Sequence, residues 1–341
     1  MKYTFPLAAV IALVLIAWIG SKIPGMQYLF GVVVPWLAVA TFIVGFCYRV
    51  VHWAKSPVPF KIPTTCGQQY SLPFLKHDKL EAPATTSQVV ARMFLEIVLF
   101  RSLWRNTKAE IHEGPKLTYE SSKWLWLFGI LFHYSFLVIV LRHLRLFLDP
   151  VPGFVSALEF ADGILQVGVP TMYLTDLTIL LGLVLLFGRR LVNRQVKYIS
   201  LANDYFPLFL IFGICVTGIL MRFFLRTDID IVTIKRLAVG LVTFQPTIPS
   251  EIGSIFYIHI FLVSVLLAYF PYSKLMHMGG VFLSPTRNMA NDTRMRRHIN
   301  PWNPDIRPHS YESYEDEFRE FMVDAGIPVE KELPPKADEE E

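Results

Sequence analysis

Of the 341 residues, 53% are hydrophobic and 18% charged, and the net charge is +4. A soluble chain carries about 25% charged residues, so these proportions exclude a soluble globular enzyme, a disordered chain and a coiled-coil rod. What remains is an all-α polytopic membrane protein, with no charge pattern that calls for nucleic acid.

In chain order, six apolar stretches stand out: Tyr3–Gly20, Tyr28–Cys47, Trp124–Leu141, Leu165–Phe187, Tyr205–Met221 and Ile252–Tyr272. Each is near the roughly 20 residues that a helix needs to cross the hydrocarbon core. The first has the length of a signal sequence, but no small-residue cleavage site follows it, so it is expected to be a retained span. Basic clusters follow the second span (Arg49, Lys55, Lys61), the fourth (Arg189, Arg190, Arg194, Lys197) and the sixth (Lys274, Arg287, Arg294, Arg296, Arg297). The excess of Lys and Arg on cytoplasmic flanks then predicts a multi-pass protein of the cytoplasmic (inner) membrane with both termini inside. The opposite side also carries charge, at Arg142, Arg145, Arg222, Arg226, Lys235 and Arg236.

These spans divide the chain into four parts. Residues 1–47 form two N-terminal transmembrane helices, and residues 48–123 a cytoplasmic loop. Residues 124–280 form a four-helix membrane domain, and residues 281–341 a cytoplasmic tail. Within the loop, Val90, Phe94, Ile97, Val98, Phe100 and Trp104 fall largely on one helical side, interrupted by Arg92, Glu96, Arg101 and Arg105. That pattern suits a helix in the membrane surface or one packed on a partner subunit. The Pro-rich, acidic-ended tail has too few apolar residues for its own core and is expected to drape over a partner or stay mobile.

Nine histidines are present, and His52, His77, His112, His298 and His309 lie in polar segments where a solvated role is expected. The other four are His133 and His143 on the third span, and His259 and His277 on the sixth. Ionisable groups inside spans are costly and usually functional. Paired neutral imidazoles can hold a b-type haem between helices. The third and sixth helices run antiparallel, which pairs His133 with His277 near the cytoplasm and His143 with His259 near the outside. Eighteen residues make five whole turns, so a continuous helix would put His259 and His277 on one face. The separations are unequal, about 15 Å against about 27 Å of helix rise, and helix tilt, tilted haem planes and a bend at Pro271 are expected to absorb the difference. Interhelical hydrogen bonding without a metal, or a proton-conducting transporter, are the competing readings.

The spacings of ten residues (His133/His143) and eighteen (His259/His277) resemble those of the gamma subunit family of respiratory nitrate reductase, a five-span dihaem cytochrome b. The resemblance runs from about Gln27 to Gly280, with the first span and the long loop as departures. Nearly the whole chain also resembles the DsrM family, the cytochrome b subunits of the transmembrane complex associated with dissimilatory sulfite reduction. That likeness rests on Ser-Pro-Val-Pro-Phe-Lys-Ile-Pro-Thr-Thr-Cys-Gly-Gln-Gln (56–69), Phe-Leu-Ser-Pro-Thr-Arg-Asn-Met (282–289) and Arg-His-Ile-Asn-Pro-Trp-Asn-Pro (297–304).

The resemblance implies two haem b groups, menaquinol as electron donor, and a cytoplasmic heterodisulfide reductase-like iron–sulfur subunit as the next carrier. It further implies a second membrane subunit, a periplasmic multihaem cytochrome c and a periplasmic iron–sulfur protein, with the trisulfide of the thiol carrier DsrC as end acceptor. A dihaem subunit of a nitrate or heterodisulfide reductase, or a haem-free membrane anchor, are the alternatives. The three cysteines, Cys47, Cys66 and Cys215, contain no CxxC, so no iron–sulfur cluster is expected in this chain. Cys47 and Cys215 read as small core residues, and Cys66 is a candidate to face a partner's cluster. Near the outer haem, Arg142 and Arg145 are expected to pair with propionates or quinone, and Tyr173 and Asp176 to line a quinone site.

Overall fold

The computed structural model describes residues 2–57, 67–114, 116–165, 171–225, 230–248, 252–296 and 308–333. Cys66, most of the 56–69 motif and the 297–304 run lie outside the described residues. The chain divides into two units, residues 1–295 and 296–341.

The first unit is a helical bundle. Its helix α1 (Thr4–Ser21) is followed by α2 (Met26–Ala54). Pro35 lacks the N–H that would bond one turn back, and a π turn over Leu29–Val33 takes up the irregularity just before it. Next come α3 (Thr86–Leu99), α4 (Arg101–Arg105) and a hairpin of β1 (Thr107–His112) and β2 (Lys116–Ser121), antiparallel with Ile111 opposite Leu117. The long α5 (Lys123–Phe147) precedes α6 (Gly153–Asp162) and a short antiparallel pair, β3 (Gly163–Leu165) and β4 (Met172–Tyr173). Then follow α7 (Leu174–Val192), α8 (Arg194–Ile199), α9 (Ala202–Phe223), α10 (Ile231–Val242) and α11 (Ser254–Tyr269).

Among the described residues, five helices are long and apolar enough to cross a membrane: α1, α2, α5, α9 and α11 with its extension to Tyr272. The expected fourth span differs from the structure. Leu165 lies in β3, and the helix begins only at Leu174. Asp176 in its first turn and Arg189 and Arg190 in its last leave a shorter uncharged stretch than the other spans have. The loop also holds a β-hairpin, and the tail a capped helix.

The main core joins α1, α2, α9, α10 and α11 through Val10, Ala17, Phe30, Leu210, Leu237, Tyr257 and Leu262. A smaller cluster of Ile179, Leu183 and Ile211 packs against Phe132, Phe136 and Ile139 of α5. Helices α5 and α7 approach closely at Gly182, where a Cβ would stand 3.1 Å from the Phe132 backbone nitrogen. That contact excludes any larger residue without a shift.

The last span does not continue to His277 as one helix. A 3-10 turn takes over at Phe270–Tyr272 around Pro271. Ser273 is extended, and further short turns cover Lys274–Met276 and His277–Gly280. Gly45 of α2 makes room for this break: a Cβ there would lie 2.7 Å from the Pro271 ring. The expectation of one face shared over five whole turns is therefore corrected: His277 lies past the break, on a separate short turn.

In the second unit, α12 (Tyr311–Asp324) is capped by Ser310, whose hydroxyl accepts from the Ser313 N–H. The buried Glu315 carboxylate accepts the backbone N–H groups of Glu330 and Lys331, both at 2.8 Å, closing the following segment onto the helix.

Candidate functional site

His133 projects from the first half of α5, and its ring centre lies 6.0 Å from that of His277, with the planes at 84°. Phe100 and Phe132 flank it edge-on at 5.1 and 5.0 Å. His143, ten residues on, sits at the far end of α5. His259 lies in the first half of α11.

All four imidazoles share one hydrogen-bonding state. The Nδ1–H of His133 donates to Gly129 O at 2.7 Å, that of His143 to Ile139 O at 2.7 Å, and that of His277 to Lys274 O at 2.8 Å. His259 Nδ1 lies 2.9 Å from the Thr217 hydroxyl of α9. That hydroxyl has one proton and stands 2.9 Å from both Gly213 O and Ile214 O. It therefore gives its proton to a carbonyl and accepts from Nδ1–H. Among the described residues, no hydrogen bond engages Nε2 of any of the four, so each offers a bare lone pair there. His112, in the hairpin, instead uses Nε2 toward Thr118. Fixing the tautomer through the second nitrogen is the usual arrangement around a metal-bound imidazole.

These groups fit an axially ligated iron porphyrin. A metal–imidazole bond is about 2 Å and the ring centre lies about 1 Å further out, so two imidazoles opposite each other on one iron have centres about 6 Å apart. The 6.0 Å of the His133/His277 pair meets that requirement. Among the described residues, no group of three or more His, Cys, Asp or Glu side chains could hold a metal unaided. Two imidazoles are the share of the coordination shell that a haem asks of its protein.

Around His143 the polar groups are more elaborate than the sequence suggests. Arg142 is buried, ion-paired with Asp162, 3.6 Å from Asp176, and donates to Thr175 Oγ1 at 3.0 Å. Asp162 also accepts the Thr175 N–H at 3.0 Å, which ties the end of α6 to the start of α7. Arg145 pairs with Glu159 at 2.7 Å. The guanidinium carbons of Arg142 and Arg222 lie 3.5 and 4.2 Å from the Tyr173 ring centre, a doubled cation–π contact. Arg222 donates to Thr171 O at 3.0 Å. Asp176 Oδ2 is buried without a hydrogen-bond partner among the described residues. A cavity of about 110 Å³ opens here, lined by Arg142, His143, Arg145, Glu159, Tyr173 and Arg222.

Arg142 and Arg145 were expected to face propionates or quinone, yet both already hold carboxylates of this chain. Tyr173 and His143 both line the cavity, while Asp176 lies beside Arg142, 3.6 Å away. Sequence reasoning missed Asp162, Thr175, Arg222 and Thr217 as parts of the site. One signal was present: an arginine at a span end calls for a buried acid, and Asp162 and Asp176 are the acids flanking the next apolar stretch. Cys215 is partly buried in α9, whereas Cys47 is exposed on α2 and so is not a core residue.

Residues 88–297 match the family model described as nitrate reductase gamma subunit. A protein of Archaeoglobus fulgidus named Hdr-like menaquinol oxidoreductase cytochrome b-like subunit is 47% identical over 283 residues, covering 81% of this chain and 84% of that protein. Its namesake in Archaeoglobus profundus is 45% identical over 277 residues, covering 79% and 81%. With more than half its length matched by the family model and close relatives over four-fifths of it, the chain belongs to the nitrate reductase gamma subunit family.

Proposed function

We propose that the chain is a dihaem cytochrome b that oxidises menaquinol and delivers the electrons to a cytoplasmic heterodisulfide reductase-like iron–sulfur subunit. The observation that carries this reading is the shared state of His133, His143, His259 and His277, each with Nδ1 committed and Nε2 free. The pairs are His133 with His277 and His143 with His259. The relatives' printed name favours a heterodisulfide reductase-like complex over a nitrate reductase. The motifs at 56–69, 282–289 and 297–304 favour the DsrM branch. In that branch the further partners are a second membrane subunit, a periplasmic multihaem cytochrome c and a periplasmic iron–sulfur protein. The end acceptor is then the DsrC trisulfide. In this reading α7 is the sixth span, both termini are cytoplasmic, and the protein resides in the inner membrane.

When bound, the two haems supply one-electron carriers at two depths. The protein's residues do the rest. The four imidazoles fix the separation of the irons, and their Nδ1–H bonds hold the rings in place. Oxidation of menaquinol to menaquinone releases two electrons and two protons, so its site needs a proton acceptor. Asp176, with an oxygen that nothing in the described chain occupies, is that acceptor beside His143. Tyr173, held under two guanidiniums, forms a wall of the cavity.

The test follows reduction of the b-type absorption by a short-chain menaquinol analogue in membranes. Asp176→Asn should slow quinol-driven reduction at least tenfold while dithionite still reduces both centres fully. Unchanged quinol kinetics in that variant would remove Asp176 from the site.

A further inference from the structure

Helix α3 has its polarity reversed for a cytoplasmic loop. Its inward side holds Arg92, 3% exposed, and the buried Glu96, while its outward side shows Val90 and Phe94 at 62% and 61% exposure, with Ile97 one turn on. The inward charges are consumed within the protein. Arg92 donates to Glu81 O at 2.9 Å and Thr286 O at 3.4 Å. The Glu81 carboxylate pairs with Arg101 and Arg105, and Glu96 accepts from Ser102 through both its N–H and its hydroxyl. Polar groups turned in and apolar groups turned out are what a lipid-facing helix needs.

The depth of the segment follows from its contacts with α5. A helix end leaves carbonyls unpaired, and in hydrocarbon these must find partners. Two of those at the end of α3 do so on α5: Val98 O accepts from the Tyr134 hydroxyl and Leu99 O from Trp126 Nε1, both at 2.7 Å. Phe100 then turns the chain with a positive φ of 49°, and α4 returns along the same helix. The Phe100 and Leu103 side chains come within 4 Å of where a Gly129 Cβ would stand. The Trp104 ring is 4.5 Å from that of Trp126, with Lys123 Nζ 4.8 Å from its centre. Finally Ser122 N–H donates to Asn106 O at 3.2 Å, where α5 begins. Contacts at 134, 129, 126 and 122 hold the end of α3 and the return of α4 against α5. Tyr134 lies eleven residues into α5, about 16 Å along its axis.

We propose that Thr86–Arg105 is a re-entrant helical hairpin that dips into the bilayer alongside α5. It presents Val90, Phe94 and Ile97 to lipid acyl chains and lays Phe100, at its tip, against His133. The proposal rests on α5 crossing the membrane and not on what the histidines bind. A soluble subunit seated on the same stripe is the competing occupant. Lipid is favoured because the helix turns its charges inward and its apolar side outward, and its end is held on a spanning helix through Tyr134 and Trp126.

The experiment places nitroxide labels at Val90→Cys, Phe94→Cys and Ile97→Cys, with Tyr119→Cys in the hairpin as reference. The full chain, with its co-purifying subunits and its native cysteines changed to serine, is reconstituted in phospholipid vesicles. Collisions with oxygen, which concentrates in lipid, are compared with those of a water-soluble nickel chelate. The expected result is a several-fold fall in chelate collisions from Tyr119 to Ile97, with the oxygen-to-chelate ratio rising in the order 90, 94, 97. Chelate access at 94 and 97 equal to that at 119 would overturn the proposal in favour of water. Exclusion of both reagents would overturn it in favour of a protein partner. On the unmodified protein, a phospholipid carrying an acyl-chain diazirine should crosslink within residues 90–97. Failure to do so, while α5 is labelled, equally refutes it.

Discussion

Each of the four histidines gives its Nδ1 proton to an acceptor, three of them to carbonyls within four residues and His259 to a hydroxyl on another helix. That difference makes Thr217 testable. Thr217→Val removes the acceptor and leaves the ring, so ligand basicity falls. Haem content should stay at two per chain while one midpoint potential rises, as read by a redox titration of the visible spectrum. The Arg142–Asp162 pair is also a residue-scale matter. Both side chains are buried, 8% and 5% exposed, and breaking such a pair costs about 3–5 kcal/mol. Asp162→Ala should therefore lower the thermal unfolding temperature markedly, and Glu159→Ala much less. The Arg145 side chain facing Glu159 is 40% exposed, where an ion pair is worth about 1 kcal/mol or less. The histidines were legible in the sequence because ionisable groups are rare inside apolar stretches. Thr217 was not, because a threonine in a helix carries no mark of what faces it across the bundle, and Asp162, at the end of α6, was marked only by the arginine that calls for an acid.

At the scale of elements, the break at Pro271 decides where His277 sits. Gly45 gives the break its room, so Gly45→Leu should displace the 270–277 turns. The expected outcome is loss of one b-type centre with the other retained, measured as haem per chain and by low-temperature spectra. Long helices were readable from hydropathy alone, to within a few residues for α1, α5, α9 and α11. The start of α7 was not, because Gly163–Leu165 and Met172–Tyr173 are apolar like the helix that follows but pair as strands. Helix α12 escaped notice because its stability is local and polar. The N–H of Glu330 first, then that of Lys331 and the Arg319 guanidinium, hold the Glu315 carboxyl below the usual carboxylate range. A depressed folded-state pKa stabilises at pH above the unfolded-state value, and that contribution is lost as pH falls through the folded one. Protection of the Glu330 and Lys331 amides, measured relative to their intrinsic exchange rates, should thus be high near neutrality and be lost as pH falls through the folded-state value of Glu315.

For the whole molecule, the shortage of charge acquires a meaning. The apolar helices form a low-dielectric housing, and its few polar groups gather at two depths, one around His133 and His277 and one around His143, Tyr173 and Asp176. Family membership and the relatives' cytochrome b-like name agree with a membrane electron-transfer subunit. Pairing of the histidines is the central claim, and haem stoichiometry by the pyridine haemochrome assay tests it most directly. The wild-type chain should hold two b haems. His133→Ala and His277→Ala should each lose the same one, and His143→Ala and His259→Ala the other. Fewer than two haems in the wild type, or loss of different haems from His133→Ala and His277→Ala, would contradict the account.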